Sequence, residues 1–179
     1  MALKATISKV NLSVSNIDRH HYQDYRLTLA QHPSETDLRL VFRLAAFALY
    51  SQENPQFTKG LCADEEPELW THRPTGEIRH WIELGQPSEK RIRQALSKAE
   101  RMTVIGFHST KFKMWFKGLN KKTLEQKKLR LIMFESIGTS GPEDLAQKNM
   151  NLSCIIQDDR IFLSSENVQV TLAISSPVL

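Results

Sequence analysis

Between Ser34 and Gln52 apolar side chains recur, among them Leu38, Leu40, Val41, Phe42, Leu44, Ala45, Phe47, Ala48 and Leu49. At 100° per residue they surround most of a helix circumference, which predicts a helix buried in the core rather than lying on a surface. Ser34 stands as its N-cap with Asp37 three residues on, and Glu35 falls in the first turn, where the helix dipole favours an anion. Before it, "KATISKVNLSVSNID" alternates with Ala5, Ile7 and Lys9 on one parity and Leu12 and Val14 on the other, predicting one or two strands with a bend between them. After it, "FTKGLC" reads as a short strand, and "LWTHRPTGEIRHWIEL" as two strands joined through a turn from Pro74 to Gly76.

The second half switches period. "PSEKRIRQALSKAE" is helical, with Ser88 as N-cap and Ile92, Ala95, Leu96 and Ala99 on one stripe. "MTVIGFH" is an apolar strand, "TKFKMWFKGLN" an amphipathic helix and "LRLIMFES" another strand. Strand, helix, strand, helix, strand from Ile78 to Ser136 predicts a mostly parallel central sheet with right-handed crossovers. "IGTSGPED" reads as a loop or helix cap. The tail predicts a hairpin turning at Asp158 and Asp159 and one further strand, "VQVTLAI". The resulting expectation is an α/β chain with a mixed central sheet flanked by helices.

Length and composition fit one domain, residues 1–179, with ordinary apolar (40%) and charged (25%) fractions. The longest apolar stretch is interrupted by Arg43 and is too short to cross a bilayer, so a cytoplasmic location is expected. Cys62 and Cys154 are too few and too far apart for a disulfide framework or a zinc knuckle and read as small buried residues. Charge is unevenly spread. Lys90 to Arg130 holds thirteen Lys or Arg against Glu100 and Glu125, a local +11, which leaves −7 for the rest of the chain and an acidic focus, "ADEEPE", at 63–68. Such a division suits a metal site beside a phosphate-binding face, and equally a solvated lysine-rich surface.

One carboxylate resists a bland reading. In "IRHWIELG" the period of two puts His80, Ile82 and Leu84 on one face and Trp81, Glu83 and Gly85 on the other. A charge in such a strand must be paired, coordinated or protonated. Glu68, after Pro67, can sit on the neighbouring strand of the same hairpin, and two carboxylates held together need a proton or a cation between them. A hard divalent ion is one solution. The alternatives are structural: Glu35 pairing with Arg39 at i, i+4, Glu68 exposed in an acidic loop, and Glu83 pairing with Arg79 or Lys59. Trp70, Trp81 and Trp115 read as core, and His20, His21 and His32 as structural or surface residues.

An acid on a helix, a proline–carboxylate pair heading one strand, an acid in the next strand, then helix and strand: this order resembles the PD-(D/E)XK nuclease superfamily. Over nearly the whole chain, "LTLAQHPSETDLRLVFRLAAFAL", "FTKGLCADEEPELW" and "WIELG" resemble the bacterial YaeQ family. The resemblance implies a restriction-endonuclease-like core with an extra β-rich region. It implies Glu35, Glu68 and Glu83 as ligands of Mg²⁺, with Glu83 also in the catalytic set. The lysine expected two residues after the strand acid is Gly85 here, leaving Lys59 and Arg91 as candidate catalytic cations. Lys90, Arg91, Arg93, Lys111 and Lys113 would hold a nucleic-acid backbone. Two functions follow: a Mg²⁺-dependent phosphodiesterase of nuclease type, or a catalytically inactive module that binds nucleic acid or a protein partner near transcription.

Overall fold

The structure, a computed structural model, describes residues 5–58 and 66–177. Its strands are β1 (Thr6–Asn16), β2 (His21–Gln31), β3 (Gln56–Phe57), β4 (Leu69–His72), β5 (Ile78–Leu84), β6 (Ala99–Gly106), β7 (Leu129–Ile137), β8 (Asn149–Gln157), β9 (Arg160–Ser164) and β10 (Gln169–Ser175). The helices are α1 (Asp37–Leu49), α2 (Glu89–Lys98), α3 (Ser109–Gly118) and the short α4 (Lys121–Leu124). All ten strands form one sheet in the order β2-β1-β8-β9-β10-β7-β6-β5-β4-β3.

The two crossover units appear where periodicity placed them: β5, β6 and β7 are parallel neighbours linked by α2 and α3. The sheet as a whole is not mostly parallel. Only β1–β8 is parallel elsewhere, and the other six pairings are antiparallel. The long β1–β2 hairpin and the β8–β9–β10 meander supply that excess, because short turns can join only antiparallel strands. Asp158 and Asp159 form the β8–β9 turn with φ of 51° and 56°, as the tail pattern predicted.

β1 runs without the expected bend. Ser8, Val10, Leu12, Val14 and Asn16 all face inward and Ile7 is exposed, so a buried serine continues a parity that looked broken in sequence. β2 was not legible at all. As an edge strand it buries only Leu29 and is otherwise half-buried or exposed, so it lacks an apolar alternation to read.

α1 is buried from Leu40 through Leu49 without a break, as its wide apolar surface requires. Its neighbours in the main core come from every strand, from Val10, Leu12 and Leu29 through Leu152, Leu163, Leu172, Phe134 and Ile105 to Ile82, Leu69 and Phe57. Both sheet edges meet on Phe47: Tyr25 of β2 lies edge-on at 5.0 Å and Phe57 of β3 stacks at 5.3 Å. The sheet therefore curls around α1 into a nearly closed, barrel-like wrap. On its outer face, α2 and α3 pack Ile92, Ala95, Phe112 and Phe116 against Trp81, Met102, Val104 and Met133, a second core.

Candidate functional site

The N-cap of α1 is Thr36, not Ser34: its side chain accepts from the Arg39 amide at 3.2 Å. Glu35 thus precedes the helix rather than occupying its first turn. Its amide donates to the His32 carbonyl at 2.8 Å, in a turn just ahead of the helix. Arg39 and Arg43 follow at successive intervals of four, so Glu35, Arg39 and Arg43 lie on one face. Arg39 Nη1 and Arg43 Nη1 each lie 3.0 Å from a Glu35 oxygen.

Glu68 joins the same group from the sheet. Its amide donates to the Ile82 carbonyl at 3.1 Å, extending the β4–β5 pairing by one residue and placing Glu68 beside Glu83. Arg39 Nη2 donates to Glu68 Oε1, and Arg43 Nε lies 3.2 Å from Oε2. That last contact is an ion pair without hydrogen-bond alignment, and both atoms are buried with no hydrogen-bond partner. Arg43 also donates to the Ala30 carbonyl of β2 at 3.0 Å and lies 5.5 Å from the Phe57 ring. Two acids and two arginines, all with buried or nearly buried side chains, thus bridge the seam between the sheet edges.

Glu83 lies beside Trp81, as the period of two required, and takes different partners from Glu68. Trp81 Nε1 donates to its Oε1 at 3.1 Å, and Arg91 Nε donates to the same oxygen. Arg91 comes from the first turn of α2, started by the Ser88 N-cap, and its other arm reaches the Glu66 carbonyl at 2.6 Å. Burial pushes the Glu83 carboxyl above its ordinary range; Arg91 and Trp81 pull it back in part, and Glu68 pushes it further up. Arg91, rather than Arg79, is the ion-pair partner.

The three acids expected to bind Mg²⁺ therefore stand in two adjoining clusters. Glu35 and Glu68 share Arg39 and Arg43, and Glu83 is held by Arg91. Among the described residues no three His, Cys, Asp or Glu side chains are arranged to hold a metal ion. The donor set fits such an ion poorly, because guanidinium groups take the oxygens that it would need. Gly85, at the lysine position, has φ +98°, a backbone that side chains other than glycine adopt only with strain, although a Cβ there would meet nothing within 4 Å. Lys59 lies outside the described residues.

Lys90, Lys111 and Lys113 are exposed, and Arg93 is exposed with Glu89 3.5 Å away. No helix of the described residues is long and apolar enough to cross a membrane. Sequence reasoning missed Arg43 as a site residue, reading it only as an interruption of an apolar run. Its spacing of eight from Glu35 was the available signal. It also missed a polar network around His80, whose partners lie 23 and 27 residues away in sequence and leave no local mark.

Fold and site together define a mixed α/β protein in which one large curled sheet encloses a helix whose N-terminal end is closed by paired glutamates and arginines. The chain belongs to the YaeQ family, whose model matches residues 1–174. It is 38% identical to YaeQ of Escherichia coli (strain K12) over 174 residues, 96% of each chain, and 37% identical to YaeQ of Salmonella typhi over the same share. The crystal structure of YaeQ from Xanthomonas axonopodis pv. citri is similar, with TM-score 0.89, 38% identity and coverage of 96% and 97% of the two chains. That of YaeQ from Pseudomonas syringae has TM-score 0.85, 25% identity and coverage of 98% and 97%.

Proposed function

We propose that this chain is a nucleic-acid-binding module on a nuclease-like scaffold, in which arginines stand where a hydrolase would hold its metal. The order α1, β4, β5, α2, β6, with Glu68 and Glu83 on neighbouring strands, supports the kinship with PD-(D/E)XK nucleases. The observation that carries the non-catalytic reading is the pairing of all three acids with Arg39, Arg43 and Arg91. Each guanidinium satisfies a carboxylate with fixed positive charge and engages the oxygens that a divalent ion would need, which supports a reading without hydrolysis. Gly85 removes the lysine as well.

Binding has its own support. α2, α3 and α4 cover the outer face of β5–β7, and the positions they leave exposed carry Lys90, Arg93, Lys111, Lys113, Lys117 and Lys122. Glu89 and Glu125 are the acids paired within this set, to Arg93 and Lys121. A surplus of cations over one continuous cover of helices suits a polyanionic backbone and contributes sequence-independent, salt-sensitive affinity.

Fluorescence anisotropy with labelled duplex DNA and single-stranded RNA, at rising salt, tests this reading. The wild type binds with an affinity that falls steeply with salt. A Lys90→Glu, Arg93→Glu, Lys111→Glu, Lys113→Glu variant loses binding by about tenfold or more and shows a shallower salt slope. Incubation of the same substrates with Mg²⁺ or Mn²⁺ leaves them intact. Cleavage by wild type that vanishes in a Glu68→Ala, Glu83→Ala variant would establish the hydrolase instead, and salt-independent or absent binding would remove the basic face from the account.

A further inference from the structure

At the C-terminal end of α1, a helix about 20 Å long whose N-terminal half carries the acid–arginine group, lies a cavity of about 190 Å³. Its charge is lopsided. Arg19, Arg101, Lys127, Lys128 and Arg130 line it with a single carboxylate, Glu53. Arg101 is paired with Glu53, while the other four have no acid within ion-pairing distance among the described residues. An adjoining cleft of about 80 Å³ shares Arg19, Tyr50 and Arg130 and adds Asp18 and Asp159.

The cavity floor is a built polar network. His80, 1% exposed on β5, lies 2.8 Å through Nε2 from Thr103 Oγ1 on β6 and 3.1 Å through Nδ1 from Glu53 Oε2. Arg101 donates to Glu53 and approaches His80 Nδ1 at 3.3 Å. Tyr50, the C-cap of α1, stands edge-on to the imidazole at 4.8 Å. Burial holds His80 below its ordinary range, although Glu53 pulls it up, so the ring adds no positive charge at neutral pH. Two buried groups are left over: Arg101 Nε has no hydrogen bond, and Tyr50 Oη has only a poorly aligned contact with the Thr103 hydroxyl. Buried donors without acceptors are rare, and here they line a cavity rimmed by unpaired cations.

We infer that this cavity is an anion site that binds a phosphate group, with Arg130, Lys128 and Arg19 supplying charge and the Tyr50 hydroxyl and Arg101 Nε supplying directed hydrogen bonds. Phosphate presents several acceptor oxygens to such donors, matching what the network lacks. The volume is below the roughly 300 Å³ at which pockets take drug-sized ligands. It suits inorganic phosphate or the phosphate end of a small monoester rather than a whole nucleotide. The residues are distinct from the exposed lysines of α2 and α3, so the inference does not depend on nucleic-acid binding.

Isothermal titration calorimetry with inorganic phosphate and, separately, glycerol 3-phosphate tests it on the full chain. The expected result is saturable binding of at least one probe with Kd below about 1 mM, weakened about tenfold or more in Arg130→Ala and in Lys128→Ala and unchanged in Lys113→Ala. The tighter probe tells whether free phosphate or a monoester is preferred. NMR of the imidazole nitrogens of His80 provides a second measure: both move with the same titration in wild type. Absence of saturation, equal weakening in Lys113→Ala, or a His80 ring blind to phosphate would overturn the inference.

Discussion

Arg43 is 1% exposed, and its charge is tolerated because Glu35, Glu68 and the Ala30 carbonyl surround it. A buried ion pair adds little net stability over an apolar replacement of the whole group, but removing one partner leaves the other charged and dry. Arg43→Met should therefore cost about 3–5 kcal/mol of unfolding free energy, measured by urea denaturation at neutral pH. A loss under about 1 kcal/mol would mean that the carboxylates are already hydrated. His80 provides a pH signature. Burial, its largest influence, lowers its folded-state affinity for protons below the unfolded value of 6.5. Below that pH the unfolded chain takes up a proton that the native state refuses, so stability falls as pH drops from 6.5 toward the folded value. Glu53, which burial raises but His80 and Arg101 together lower by more, loses stabilisation in the same direction, but only below its unfolded value of 4.5. Thermal melts between pH 7.5 and 5.5 should thus decline in wild type and flatten in His80→Gln. Parallel curves for the two proteins would remove His80 as the cause.

At the scale of elements, the crossover helices depend on close approach. Gly106 ends β6, and a Cβ there would lie 2.2 Å from the ring of Phe112, the buried anchor of α3. That ring is fully buried, so a side chain at position 106 brings overpacking strain. Gly106→Ala should destabilise by about 1–3 kcal/mol, with the loss of hydrogen-exchange protection concentrated in α3. Uniform loss across the sheet, or none, would show that α3 docks independently of that contact. The same scale shows where sequence patterns were sufficient. Ser88 capped α2 and Ile92 and Ala95 faced inward as their spacing required, because a surface helix must turn its one apolar stripe to the sheet. Patterns failed for β2, whose side chains are too exposed to alternate, and for the start of α1, where Thr36 won the capping position two residues later than Ser34.

For the whole molecule, the decisive feature is the meeting of the sheet's edges on one helix. α1 touches β2 through Tyr25 and β3 through Phe57, and Arg43 ties β2 to the residue preceding β4. Open sheet edges invite pairing with other chains, and wrapping them onto a buried helix is one way to cover them. Charge is divided by the same architecture. The acid–arginine group sits at one end of α1, the cationic cavity at the other, and the exposed lysines lie outside on α2 to α4. Three charged regions that overlap in sequence are thereby separated in space, and each can be tested by variants that leave the other two intact.

The sequence by itself determined the buried α1, the β5–β7 crossover core, the β8–β9 turn and the need for Glu83 to have a partner, because periodicity and desolvation act locally and are written in neighbouring residues. The Glu35–Arg39 pair at i, i+4 was also legible as one alternative, but only the tertiary structure decided that the partner of Glu83 is Arg91, that Arg43 joins in holding Glu35, that both arginines hold Glu68, and that His80 meets Glu53 and Thr103. Those contacts join residues up to 29 positions apart across strands and helices, and a linear pattern carries no distance between side chains until the sheet has curled around its helix.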